Sequence, residues 1–160
     1  MARKLRIITV GRNHDKLLLP LIEDYESRIS RTLRIEWLIV PLKSGSPERG
    51  VLIAAESNSI LASLKNTEYV ILLDDIGIQL TSENFSGKLE KLLQSEKGIS
   101  FVIGGAFGVN HAVRERADFV LSLSKMVIPH QLVRLILVEQ LYRALSISNG
   151  SNYHHGVKDS

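Results

Sequence analysis

Five short apolar runs punctuate the chain, at residues 5–10, 35–40, 69–73, 99–103 and 119–123. Within them Val, Ile, Leu and Phe follow one another with few polar interruptions. A strand with one wet face would alternate apolar and polar positions. Continuous runs of this length predict strands covered on both faces, as in a parallel sheet. Between the runs the period changes. Leu21, Tyr25 and Ile29 recur at helical spacing, with Ile22 beside them. Phe85, Leu89, Leu92 and Leu93 repeat that stripe behind Thr81 or Ser82 as a cap. Residues 51–64 predict a weaker helix, interrupted at Ser57-Asn58-Ser59. Strands alternating with helices predict a single α/β domain over residues 1–160, with helices on both faces of a mostly parallel sheet.

The last helix, predicted over 131–145, has no single stripe. Apolar residues occupy positions 132, 133, 135–138, 141, 142, 144, 145 and 147. A helix apolar nearly all round must be buried nearly all round. Either it runs through the middle of a monomer, or it is an outer helix whose far side meets a second copy across a two-fold axis. The second arrangement, a homodimer, is the expectation here.

Composition narrows the class only slightly. The chain has 160 residues, 44% of them hydrophobic, and no cysteine. Disulfides and thiolate metal sites are excluded. No apolar run reaches the ~20 residues that span a bilayer. Met1-Ala2-Arg3-Lys4 leads directly into a run too short for a signal-peptide core, so a cytoplasmic protein is expected. A net charge of +3 leans weakly toward anionic partners such as RNA.

Candidate chemistry gathers between residues 99 and 145. Gly104-Gly105-Ala106-Phe107-Gly108 follows the fourth strand, where glycines let backbone approach a ligand closely. It is neither the dinucleotide fingerprint nor a phosphate loop, and it also reads as a tight turn into a helix capped by Asn110. Leu73-Asp74-Asp75-Ile76-Gly77 ends the third strand, at the edge where open α/β sheets bind ligands. Adjacent residues on a strand point to opposite faces, so a turn-forming role suits at least one of the two aspartates. Pro129-His130 opens the last helix and sets an imidazole at its positive end. Arg134 is a lone cation in a very apolar helix, which points to a functional role. Glu139 and Arg143 read as a structural pair. His154 and His155 lack the spaced third ligand of a metal site, no metal is expected, and His14 and His111 belong to no evident constellation.

Five blocks then occur in a telling order. They are Ile103-Gly104-Gly105-x-x-Gly108, Leu121-Ser122-Leu123-Ser124-Lys125-Met126, Pro129-His130-x-x-x-Arg134, Glu139-Gln140-Leu141-Tyr142-Arg143-Ala144 and Asn152-Tyr153-His154. This chain resembles, over its whole length, the small SPOUT-class 23S ribosomal RNA methyltransferases that act on N3 of a pseudouridine. The resemblance implies a C-terminal trefoil knot, a homodimer, and S-adenosylmethionine bent within the knot. By position its contacts would be Leu73, Gly104, Leu123, Ser124, Lys125, Met126, Val127 and Ile128. It implies as substrate a pseudouridine of 23S rRNA in the assembled ribosome. Candidates for removing the N3 proton or stabilising the resulting charge are His130, Arg134, Tyr153 and His154. RNA contacts would come from Arg3, Lys4, Arg12, Lys43, Arg49, Lys125 and Arg134. The alternative reading is a catalytically silent RNA- or ribosome-binding protein of the same fold. An intact glycine turn and an intact 123–128 loop argue against it, because a pure binder needs no cofactor cavity.

Overall fold

The computed structural model describes residues 2–42 and 48–150. Elements follow in the order β1 (Arg3–Val10), α1 (Leu19–Ile29), β2 (Leu33–Val40), α2 (Arg49–Ser63), β3 (Glu68–Gln79), α3 (Ser82–Gln94), β4 (Gly98–Ile103), α4 (His111–Arg116), β5 (Phe119–Ser122) and α5 (His130–Ser148). The five strands form one parallel sheet in the order β2-β1-β4-β3-β5. Their carboxyl ends therefore share one edge.

Both sheet faces are dry, as the continuous apolar runs require. On one face Leu5, Ile7, Ile71, Phe101 and Ile103 pack under α1, α3 and α5. On the other, Ile8, Val10, Val70, Leu72 and Val102 meet Ile60 of α2 and Val113 of α4. Thr81 caps α3 by accepting the Asn84 N–H at 3.1 Å, and Asn110 caps α4 by accepting the Val113 N–H at 3.2 Å.

Three expectations change. The serines of α2 do not interrupt it. Ser59 Oγ donates to the Ala55 carbonyl at 3.1 Å and Ser63 Oγ to the Ser59 carbonyl at 2.8 Å. These two hydroxyls are satisfied inside the helix, Ser57 Oγ accepts the Asn110 N–H from outside it, and the helix runs on through them.

The third strand does not stop at residue 73. Leu73 and Ile78 both oppose Leu121, so residues 74–77 bulge out and pairing resumes beyond them. Asp74 helps by accepting the Ile76 N–H at 3.1 Å. Gly77 lies against the neighbouring backbone; a Cβ there would stand 2.6 Å from the Val120 carbonyl oxygen.

The last helix is covered on both flanks. α5 lies between α1 and α3, over β4. Leu137, Val138, Leu141, Ala144 and Leu145 are buried within the one chain. Flanking helices on both sides account for most of its all-round apolarity, so that pattern does not of itself require a second copy.

Candidate active site

The carboxyl ends of β3 and β4, the chain after β5 and the first turn of α5 enclose a cavity of about 680 Å³. That is the scale of small-ligand sites, ~300–1,000 Å³. Its first wall is Leu72, Leu73, Asp74 and Asp75 at the β3 bulge. Asp74 is fixed there by Arg114 of α4 at 3.0 Å, and Arg114 also lines the cavity.

The second wall is the glycine turn, residues 104–108. It closes with the Gly108 N–H donating to the Gly105 carbonyl at 3.0 Å, and Gly108 adopts a φ of 79°. Gly104 has no room for a side chain: a Cβ would lie 2.9 Å from Val109 Cγ1 and 3.2 Å from the Gly108 carbonyl carbon. At the rim, the Arg49 guanidinium lies 4.2 Å from the centre of the Phe107 ring.

The third wall is Leu123, Ser124 and Met126 to Pro129. Ser122 Oγ donates to the Ser124 carbonyl at 3.0 Å, and Ser124 Oγ accepts the Met126 N–H at 3.0 Å. Two hydroxyls thus shape this loop from within. Its apolar side chains are left in the open: Met126 is 79% exposed and Val127 87%. His130, Gln131 and Val133 of α5 complete the enclosure. Burial, reinforced by the nearby Arg134 cation, lowers the pKa of His130 below the usual imidazole value. The ring is therefore neutral at pH 7 and able to accept a proton.

Of the residues singled out from sequence, Leu73, Gly104, Leu123, Ser124, Met126, Val127, Ile128 and His130 line this cavity; Lys125 and Arg134 do not. Arg134 is fully buried. Its Nη1 donates to the Arg12 carbonyl at 2.8 Å and lies 3.3 Å from His14 Nδ1. It therefore cannot meet RNA as a surface cation. Gln131, one turn earlier, accepts the Asp15 N–H at 2.9 Å and donates to the Asn13 carbonyl at 3.2 Å. Together the two side chains strap residues 11–15 over the start of α5. Arg3 and Lys4 begin β1, at the sheet edge opposite the cavity and about 25 Å from it at strand rise. Arg12, Arg49 and Lys125 are exposed on the cavity side. Tyr153, His154 and Lys43 lie outside the described residues.

A family model described as "Predicted SPOUT methyltransferase" matches residues 3–154 of this chain. The chain belongs to the SPOUT methyltransferase family. Among similar proteins is the ribosomal RNA large subunit methyltransferase H of Caldicellulosiruptor bescii, 40% identical over 94% of this chain and 99% of its own length. The protein of that name from Natranaerobius thermophilus is 37% identical over 95% of this chain and 99% of its own. In Streptococcus sanguinis the figure is 38% over 94% and 99%. A solved structure, a probable methylase family protein from Haemophilus influenzae, shares the fold at a TM-score of 0.54 and 10% identity, covering all of this chain and 74% of that one.

This SPOUT chain carries site features that its sequence did not announce. The Asp74–Arg114 pair joins positions 40 apart and needs the fold to be seen. His14 is no bystander: it packs edge-on against Trp37, ring centres 4.4 Å apart, and touches Arg134. Burial, then the Arg134 cation, lowers its pKa too. Glu139 and Arg143 form the structural pair expected of them, at 2.6 Å. Among the described residues no three His, Asp or Glu side chains converge on a possible metal position, and no helix is long and apolar enough to cross a membrane.

Proposed function

We propose that this protein is a 23S ribosomal RNA methyltransferase that takes the methyl group of S-adenosylmethionine to N3 of a pseudouridine in the assembled ribosome. The observation that carries this reading is the cavity itself. It unites the glycine turn and the 123–128 loop, whose sequence resembles the donor-binding parts of that family, with the β3 end, which matches by position although Asp75-Ile76 before Gly77 depart from the family's pattern. The residues suit the donor. Leu72, Leu73, Ile103, Leu123 and Ile128 offer an apolar slot for an adenine. Gly104, lacking a side chain, lets the turn fold tightly against Val109 and Gly108 at the cavity wall. Asp75 brings negative charge to a molecule whose reacting end is cationic, while the charge of Asp74 is offset by Arg114. Bound there, the donor supplies an electrophilic methyl group, and the transfer needs no metal.

The chain's own residues do the rest. The cavity walls hold the donor and the target base in line, and orientation of this kind is worth several kcal/mol, at most ~7–11. Neutral His130 accepts the N3 proton as the methyl group takes its place. Arg134 serves as a positioning residue: it adds to the effect of burial in lowering the His130 pKa and holds the 11–15 strap. Tyr153 and His154 of the tail close over the base. Arg12, Arg49 and Lys125 meet phosphates, which makes binding salt-sensitive.

The active unit is a homodimer with a knotted C-terminal segment, as the family resemblance implies. Leu17, Leu21 and Leu132, at or near the first turns of α1 and α5, remain exposed with Met126 and Val127 and suit a second copy. Sedimentation should give twice the chain mass. Labelled S-adenosylmethionine, offered with 70S ribosomes or with free rRNA, tests the substrate. Label at a single 23S pseudouridine, and only in ribosomes, is the expected result; no label in either would return the silent RNA-binding reading.

A further inference from the structure

Behind the glycine turn stands a buried acid. Glu56 sits in mid-α2, seven residues past Arg49 and so on the same side of the helix. Its side chain is only 7% exposed. Among the described residues no cation or hydrogen-bond donor pairs with it, and burial alone moves its pKa, upward. Its oxygens are not among the enclosed unpartnered atoms, so packing rather than pairing is what places the side chain here, and that packing calls for a reason.

The reason lies across the gap, at Gly105. This glycine does not adopt a positive φ; among the described residues only Gly11, Gly108 and Gly150 do. Its backbone is one that any residue could take. Yet a Cβ at 105 would stand 2.5 Å from Glu56 Oε2 and 3.3 Å from Glu56 Cδ. The glycine lets the carboxyl stand this close to the turn, and a larger residue at 105 would push the flexible end of Glu56 aside. Gly104 differs, because there the turn itself fills the space. Next to Glu56, Ser57 Oγ accepts the Asn110 N–H at 3.0 Å. Consecutive residues of α2 therefore grip the turn at both of its ends, and the other side of Gly105 is cavity wall.

We propose that Glu56 is a positioning residue of the cavity: its carboxyl buttresses the glycine turn from behind, and position 105 is glycine in order to admit it. The functional part rests on the reading that the cavity takes S-adenosylmethionine. A carboxyl oxygen can lie against the Gly105 Cα–H in a weak C–H···O contact. Removing it lets the wall relax away from the ligand. Adding a methyl at 105 evicts it and does the same.

The test is a cycle of Glu56→Ala, Gly105→Ala and the double variant, with Glu56→Gln as the conservative control. Calorimetry gives the affinity for S-adenosylmethionine, and urea unfolding gives stability without the donor. Each single change to Ala should weaken donor binding about tenfold. Glu56→Gln, which keeps the shape of the carboxyl, should stay within about twofold of the parent. The double variant should be no worse than Glu56→Ala alone, because both changes remove one contact. Glu56→Asp, which withdraws the carboxyl by one methylene, serves if Glu56→Ala does not fold, and should relieve Gly105→Ala in the same way. Parental affinity in Glu56→Ala, or fully additive losses in the double variant, would overturn the proposal. A parent chain that binds no donor would instead overturn the cavity reading; the contact itself then shows as less-than-additive stability losses in the unfolding of the double variant, and additive losses there would overturn it.

Discussion

Replacing Arg134 by Met separates what this side chain does for stability from what it does for the site. The guanidinium is fully buried, yet Nε and Nη2 have no hydrogen-bond partner among the described residues. Its one strong bond runs from Nη1 to the Arg12 carbonyl. Losing a charge-assisted bond of this kind costs about 1.5–3 kcal/mol. Against that, the change removes a buried cation with unpartnered donors, and each such group carries a penalty of about 1–3 kcal/mol. Buried ionic groups exchanged for apolar ones of similar volume are often neutral or stabilising. The two effects offset, and Arg134→Met should unfold within about 1.5 kcal/mol of the parent. Arg134→Ala, which also leaves a void, should lose about 2–4 kcal/mol. Urea titration followed by far-UV circular dichroism reads both. Trp37, the single tryptophan, packs on His14 and reports the 11–15 strap by its fluorescence. Methyl transfer in Arg134→Met should fall more than about tenfold while donor affinity holds, because the strap and the His130 environment are lost. The His130 pKa should rise toward its ordinary value in an NMR titration. A loss above about 3 kcal/mol, or full activity, would refute this division of labour.

Further expectations concern the walls, the histidines and the tail. Gly104→Ala places a methyl 2.9 Å from Val109 Cγ1 and against the Gly108 backbone, so calorimetry should find donor affinity down at least about tenfold, with undiminished binding as the contrary outcome. His14 and His130 both have lowered pKa values, so the unfolded chain binds more protons than the folded one as the solution becomes acidic. Stability should hold above about pH 6.5 and decline as pH falls through that value toward the folded-state pKa values. Urea midpoints should follow this decline, and His14→Asn with His130→Asn should flatten it; an already flat parent profile would contradict it. Deleting residues 152–160 should abolish methylation of ribosomes and leave donor binding intact, whereas normal turnover would remove Tyr153 and His154 from the mechanism.

The layers of this fold were legible because burial on both faces leaves a plain trace. The strand at Leu5–Val10 is apolar on both sides because α5 covers one and α2 the other. Which helix covers what was not legible. The composition of α5 is the same whether its flanks meet α1 and α3 or a second subunit, and only the strand order decides. The bulge at 74–77 was hidden for a related reason. It depends on the Val120 backbone, about 45 residues away, coming close enough to exclude any residue but glycine at position 77. Arg134 stood out as a cation in an apolar helix, but sequence cannot distinguish a guanidinium turned toward a ligand from one turned toward the Arg12 carbonyl. Glu56 attracted no notice at all, since one acid in a helix usually faces water. The glycine turn and the 123–128 loop, by contrast, carry their own chemistry in order along the chain, and the fold brings them to one cavity.

The central claim is that three loops at the carboxyl edge of the sheet grip a methyl donor. Crystals grown with S-adenosylmethionine test it most directly. The adenine should lie between Leu73, Gly104 and the 123–128 loop, with the methyl group facing the side of His130. Donor density elsewhere, or an empty cavity at saturating donor, would contradict the account.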